Sequence, residues 1–250
     1  MRILGIIPAR YASSRLPAKA LRDIAGKPMI QRVYEQSKKA KKINEVVIAT
    51  DHNEILQTAQ SFGCQNALLT SPNHKNGTER CREVVETLNE KYDYVVNIQG
   101  DEPFIQPEQL DLLCGLLDGK AELATLVAPV RDETALFSNS VMKVVFNKNN
   151  EALYFSRECI PHLRDVPKTE WLSKGSFYKH VAIYAYRTDV LKEIADLEVT
   201  PLEKSESLEQ LRWLENGYRI TIGITTLESM SVDTASDLER AIAFAHKYQL

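Results

Sequence analysis

Residues 3–22 read Ile-Leu-Gly-Ile-Ile-Pro-Ala-Arg-Tyr-Ala-Ser-Ser-Arg-Leu-Pro-Ala-Lys-Ala-Leu-Arg. The opening, residues 3–8, is an apolar run of strand length, the pattern of a strand buried on both faces. The remainder of the stretch carries Arg10, Arg15, Lys19 and Arg22 and no acid. In an open α/β sheet, ligands bind beyond the carboxyl ends of the strands, so a cationic loop directly after a buried strand is a candidate anion site. Its small residues let backbone N–H groups approach a phosphate chain, and Arg and Lys neutralise the charge. The loop is neither a G-x-x-x-x-G-K-[ST] nor a G-x-G-x-x-G motif. Two readings fit the composition: a triphosphate-binding loop, or a solvated basic loop.

Outward from this stretch, apolar runs alternate with helical periodicity. Residues 28–42 predict a helix with Ile30, Val33 and Tyr34 inward, and 46–50 a strand. A helix with Ile55, Ala59 and Phe62 on one face comes next, then a short strand at 67–70. A helix from about Thr78 carries Cys81, Val84, Val85 and Leu88, before a strand at 94–98 and a helix over 107–117. Strand–helix repeats with unbroken apolar strands indicate a mainly parallel sheet covered on both faces. From residue 121 the pattern changes. Residues 123–130, 141–147, 152–156 and 180–187 read as strands with little helix between them, an appended mixed β region. Helices return at 202–216, closed by Gly217, and at 235–248, where Ser236 and Glu239 have capping-box spacing. Residues 165–175 read as a mobile surface loop. The expected fold is one α/β domain over residues 1–250.

Composition narrows the function classes. The 250 residues include 31 Lys+Arg and 34 Asp+Glu, a net charge of −3. There is no global basic excess for a nucleic-acid backbone, so a bound anion must meet a local cluster. A hydrophobic share of 44% with 26% charged residues is that of a folded chain rather than a disordered one. The apolar runs fall well short of the ~20 residues of a membrane span. The N-terminus lacks a signal-peptide pattern, so a cytoplasmic chain without membrane insertion is expected. Cys64, Cys81, Cys114 and Cys159 form no C-x-x-C pair and suggest small buried hydrophobes, not a zinc site or disulfide framework.

Other residues that come after strands carry chemistry of their own. Asp101 stands beyond a strand and a glycine, where an α/β enzyme holds Mg²⁺ against a nucleotide; the same spot suits a turn aspartate. Asp233, just before the last helix, is either a second carboxylate on that metal or an acid stabilised by the helix dipole. Arg80 stands near a helix start, where a cation opposes the dipole, which favours a ligand-facing role. His180 opens a strand and, alone, suits a structural role as well as a ligand-binding one. Glu209 and Gln210 interrupt their helix's apolar face little and, from the pattern alone, belong on the surface.

Nine stretches in register resemble the 3-deoxy-manno-octulosonate (Kdo) cytidylyltransferases. They are IIPARYASSRLPAK (6–19), GKPMIQRVYE (26–35), VVIATD (46–51), NHKNGTERC (73–81), VVNIQGDEPFI (95–105), ALYFSRECIP (152–161), YKHVAIYAYR (178–187), SLEQLRWLENG (207–217) and VDTASDLERA (232–241). The resemblance implies a Rossmann-like nucleotide-diphospho-sugar transferase fold and a homodimer. It implies a nucleotide-binding half over 1–120 and a sugar-binding and dimerisation half over 121–235. It implies the Mg²⁺-dependent reaction of CTP with Kdo to give CMP-Kdo and pyrophosphate, for lipopolysaccharide synthesis, or the same reaction on a related sugar acid such as 8-amino-Kdo. On matching positions, Ala9, Arg10, Ser13, Arg15 and Lys19 would bind CTP, with Arg15 and Lys19 catalytic. Asp101 and Asp233 would hold Mg²⁺ and serve catalysis. Arg80, Gln99, His180, Tyr184, Glu209 and Gln210 would line the sugar pocket. Four positions depart from the family pattern: Ala18 and Ala182 where glycine is common, Asn76 where serine is, and Ser231 where glycine often precedes Val-Asp-Thr. A glycosyltransferase would use a nucleotide sugar and release a nucleoside diphosphate, whereas the basic loop favours a triphosphate. A non-catalytic nucleotide-binding module would have no need of Asp233.

Overall fold

The computed structural model describes residues 1–13 and 15–250. Its first half is built of alternating strands and helices: β1 (Ile3–Ala9), a hairpin of β2 (Asp23–Ile24) and β3 (Lys27–Pro28), α1 (Met29–Ser37), β4 (Glu45–Thr50), α2 (Asn53–Ser61), β5 (Ala67–Leu69), α3 (Gly77–Thr87), β6 (Tyr94–Asn97) and α4 (Pro107–Cys114). The second half contains β7 (Leu123–Pro129), α5 (Glu133–Phe137), β8 (Lys143–Phe146), β9 (Ala152–Ser156), α6 (Trp171–Lys174), β10 (Tyr178–Arg187), α7 (Thr188–Ala195), α8 (Pro201–Glu206), α9 (Glu209–Glu215), β11 (Ile220–Ile224) and α10 (Ala235–Tyr248).

The main sheet has the order β11-β7-β10-β6-β1-β4-β5, with β8 and β9 branching from β10. β1 runs parallel to β4 and β6, β4 to β5, and β11 to β7. β10 is antiparallel to both β6 and β7. Successive side chains of a strand point to opposite faces, and both faces of β1 are buried: Ile3 and Ile7 pack with Ile30, Val33 and Leu110, while Leu4 and Ile6 pack with Val84, Tyr186 and Trp213. The carboxyl ends of β1, β4, β5 and β6 therefore share one edge. The reversed strand β10 brings Tyr184 level with Asn97, the last residue of β6. No helix among the described residues is long and apolar enough to cross a membrane.

Several sequence expectations are corrected. The helix expected over 202–216 is two helices, α8 and α9, broken at Ser207 with φ +51°. A buried pair holds the break closed: Arg212 donates to both carboxylate oxygens of Glu203, at 2.7 and 2.6 Å. The turn swings α9 so that Gln210 is buried rather than on the surface. The capping box of α10 is Thr234 with Asp237, not Ser236 with Glu239, because Thr234 is the last extended residue. The helix expected over 28–42 stops at Ser37. Residues 165–175 lie largely on the surface, as expected, but carry a turn at Lys168–Glu170 and the helix α6 rather than an open loop. Trp171 is buried, stacks on Phe177 and donates its indole N–H to the Val166 carbonyl at 2.9 Å. α7 and β11 had no counterpart among the elements expected from the sequence. Cys64, Cys81 and Cys114 are buried and Cys159 is half-buried, all four as free thiols.

Candidate active site

The segments after β1 and β6, the start of α3 and the residue preceding the α10 cap converge on one cleft of about 390 Å³. Backbone contact builds it. The Val232 N–H donates to the Asp101 carbonyl at 2.9 Å, which brings Asp233 beside Asp101 although they lie far apart in the chain. Asp237 accepts from the Asp233 and Thr234 N–H groups at 3.2 and 2.9 Å and so fixes the approach to α10. Burial alone would raise the Asp237 carboxyl, but the Thr234 hydroxyl and Arg240 hold it down at about 2. Gly100 is required by close approach, since a Cβ there would lie 2.7 Å from the Pro8 carbonyl oxygen.

At one end of the cleft, Lys19 Nζ donates to Asp101 Oδ2 at 2.6 Å and to Asp233 Oδ1 at 3.0 Å. Arg15 Nη2 lies 3.1 Å from Asp233 Oδ1. Two cations of the basic loop, Arg15 and Lys19, are thus met by acids from elsewhere in the chain. Burial pulls the Lys19 ammonium down, but Asp101 and then Asp233 raise it above the ordinary lysine value. Both carboxylates touch one nitrogen, so they face a common point. Hard oxygen donors of this kind suit Mg²⁺, which binds through one or two carboxylates and takes phosphate oxygens and water as its other ligands. Among the described residues, no group of three or more His, Cys, Asp or Glu is placed to hold a metal ion.

The cleft is also lined by the polar side chains of Asn97, Tyr184, Tyr186 and Glu209. Asn97 donates from Nδ2 to the Tyr186 hydroxyl at 3.2 Å. Asn97 Oδ1, the Tyr184 hydroxyl and Glu209 Oε1 are buried without a hydrogen-bond partner among the described residues. Such groups cost about 1–3 kcal/mol each when left unpaired, so this wall offers hydrogen-bonding groups to water or to a polar ligand. Burial pushes the Glu209 carboxyl up to about 7 and the Tyr184 hydroxyl well above its ordinary value.

Ala9, Arg10, Ser13, Arg15, Lys19, Arg80, Gln99, Asp101, Tyr184, Glu209 and Asp233 all line this one cleft. His180 and Gln210 are not among the lining residues. His180 Nε2 lies 3.0 Å from the Thr125 hydroxyl, its ring packs edge-on to Phe155, and burial lowers its pKa to about 3, leaving a neutral imidazole. The Gln210 amide nitrogen is 3.9 Å from Met142 Sδ. Arg80 is buried and already engaged, with Asp51 and with the Thr70 hydroxyl. Asn97 and Tyr186 line the cleft but were not singled out in the sequence; a polar side chain closing an apolar strand was the available signal for Asn97.

Two of the departures from the family pattern have a local account. Asn76 caps α3, its side chain accepting from the Glu79 N–H at 2.9 Å, a position that serine and asparagine fill equally well. Ala18 adopts φ +51°, the left-handed conformation that favours glycine.

A mainly parallel central sheet with cations and two convergent carboxylates gathered beyond its strand ends is the architecture of a nucleotidyltransferase. A family model described as "Cytidylyltransferase" matches residues 4–221. The 3-deoxy-manno-octulosonate cytidylyltransferase of Parabacteroides distasonis is 52% identical over 250 residues, covering 98% of each chain. The enzyme of the same name from Cytophaga hutchinsonii is 49% identical over 239 residues, covering 95% of each. A solved structure of CMP:2-keto-3-deoxy-manno-octonic acid synthetase complexed with CTP superposes with a TM-score of 0.91 at 39% identity, covering 99% of this chain and all of that one. The chain belongs to the cytidylyltransferase family and, within it, to the 3-deoxy-manno-octulosonate cytidylyltransferases.

Proposed function

We propose that this chain transfers CMP from CTP to the anomeric 2-hydroxyl of Kdo and releases pyrophosphate. The observation that carries the reading is the joint lining of one cleft. Arg15 and Lys19, met by two carboxylates, share it with the buried polar groups of Asn97, Tyr184 and Glu209. The sugar oxygen attacks the α-phosphorus, the bond to the bridging oxygen of the β-phosphate breaks, and the hydroxyl proton leaves to solvent. Catalysis of this kind rests on positioning and charge neutralisation rather than a covalent intermediate. Ala9, Arg10 and Ser13 hold the nucleotide, and Arg15 and Lys19 offset the charge developing on pyrophosphate. Gln99, Tyr184 and Glu209 orient the sugar from the cleft wall, while His180 and Gln210 support that wall from behind. Mg²⁺ held by Asp101 and Asp233 would supply charge neutralisation at the phosphates. In this reading residues 1–120 supply most of the nucleotide half and 121–235 most of the sugar half, in a cytoplasmic homodimer.

The test is pyrophosphate release from CTP and Mg²⁺, with and without Kdo. Release that depends on Kdo is expected. Bound CTP with no release on adding Kdo would overturn the assignment of the acceptor.

A further inference from the structure

Asp51 lies just beyond the carboxyl end of β4, and its two carboxylate oxygens serve different partners. Oδ1 accepts from the backbone N–H of Tyr11, in the basic loop, at 2.9 Å. Oδ2 lies 3.3 Å from Arg80 Nη2. The Arg80 side chain is 4% exposed, and its other terminal nitrogen donates to the Thr70 hydroxyl. Thr70 is itself tied to β4, donating from its N–H and its hydroxyl to the Thr50 carbonyl at 2.7 and 3.0 Å. The Tyr11 ring stacks on His52, the residue after Asp51, with 3.8 Å between centroids. Three structural segments beyond strand ends are thereby joined: the loop after β1, the residue after β4 and the residue after β5. The guanidinium of α3 is held among them.

We infer that Asp51 is a positioning residue for the transfer reaction: one carboxylate oxygen aims the Arg80 guanidinium into the cleft, and the other anchors the entrance of the basic loop. Asp51 is not among the residues lining the cleft, so it acts through Arg80 and through the loop backbone. A guanidinium presents its donors in a fixed fork, and two partners on its outer side set the direction of its remaining N–H groups. Binding sites need such support, because a side chain left to choose its own rotamer loses the geometry of the productive complex. The inference rests on the proposed transfer reaction, but one of its two arms can be measured without it.

The two arms separate by substitution. Asp51→Asn retains an oxygen for the Tyr11 N–H but withdraws the charge from Arg80. Asp51→Ala removes both. Arg80→Met, of similar length and without charge, completes a double-mutant cycle and leaves no buried guanidinium unpaired, so the double variants keep the cycle readable should Asp51→Asn alone fold poorly. We expect Asp51→Asn to lower kcat/KM about tenfold in the parent and at most about twofold in the Arg80→Met background, the non-additivity of residues that act as one unit. We expect Asp51→Ala, but not Asp51→Asn, to weaken CTP binding about fivefold by calorimetry in both backgrounds, as separable contributions do. Melting temperatures are read in parallel, since a purely structural role would lower them while leaving kcat/KM at low temperature additive. Equal effects of Asp51→Asn in both backgrounds would overturn the Arg80 arm, and parental CTP affinity in Asp51→Ala would overturn the loop arm. Failure of the parent enzyme to respond to Kdo would count against the transfer reading alone, because the calorimetric comparison needs only CTP.

Discussion

Ala18 shows what one residue in an unusual conformation costs. A left-handed backbone costs a residue with a Cβ about 1–2 kcal/mol relative to glycine, and Ala18 adopts it beside Lys19. Glycine returns part of that gain through the extra freedom of the unfolded chain, about 0.5–1 kcal/mol. Ala18→Gly is therefore expected to stabilise the protein by about 0.5–1 kcal/mol, a rise of about 2–4 °C per kcal/mol for a chain of this size. A thermal melt checks this, and a lowered melting temperature would contradict it. At Asp101 the issue is charge. Asp101→Asn keeps the shape and the backbone contact to Val232 but removes a carboxylate from the Lys19 cluster. We expect an unchanged circular dichroism spectrum and a loss of roughly 10²-fold or more in turnover, the scale of removing one transition-state stabiliser. Near-parental turnover with Mg²⁺ would refute the role given to it.

At the scale of elements, the start of α10 matters more than its length. Thr234 and Asp237 cap it reciprocally, and the same Asp237 carboxylate receives the Asp233 N–H. The cap thus fixes a residue of the cleft. Asp237→Asn is expected to cost about 1 kcal/mol at neutral pH, the usual worth of a cap. The sign of its pH dependence comes from a carboxyl held at about 2, below its ordinary value of 3.8. Its contribution is present above pH 3.8 and is lost as pH falls through about 2. Acid titrations of melting temperature for the parent and Asp237→Asn should therefore converge towards pH 2, and curves that stay parallel would refute this. The same element shows how far local pattern reaches. Its apolar periodicity was readable over its full span, but the cap lies two residues upstream of the predicted one. Ser236 and Thr234 both offer a hydroxyl at the right spacing, and only the backbone conformation selects between them. The α8–α9 break was hidden for a similar reason. No glycine or proline marks it, and the left-handed Ser207 is flanked by the buried Arg212–Glu203 pair, which joins the two helices across the break.

Across the whole molecule, the cleft depends on joining segments from the two halves of the chain. Glu102, after β6, accepts from the Ser229 hydroxyl at 2.6 Å, close to where Val232 meets Asp101. Burial raises the Glu102 carboxyl to about 7. Between its ordinary value of 4.5 and about 7, the folded state then binds more protons than the unfolded one, so its contribution to stability falls as pH rises through that window. Glu102→Gln, a neutral isostere, should raise the melting temperature above pH 7 and flatten its decline between pH 5 and 7. An unchanged pH profile would show that Glu102 is not the group responsible.

The parallel half of the sheet was legible because each buried strand is a continuous apolar run and each helix repeats at its own period, signals carried by neighbouring residues. The basic loop stood out because it gathers four cations between residues 10 and 22 with no acid among them. Tertiary structure decided what those charges meet: Asp101 and Asp233 reach Lys19 only because Val232 pairs with the Asp101 backbone. It also set Tyr184 beside Asn97 by reversing β10, turned Glu209 and Gln210 inward through the Ser207 break, and placed Asp51 between Tyr11 and Arg80. Periodicity and composition are properties of adjacent residues, so the sequence by itself determined the alternating strands and helices of the first half and the likeness to a family. The site is made of contacts between residues far apart in the chain, and those are specified only when burial of the sheet brings the strand ends to one edge.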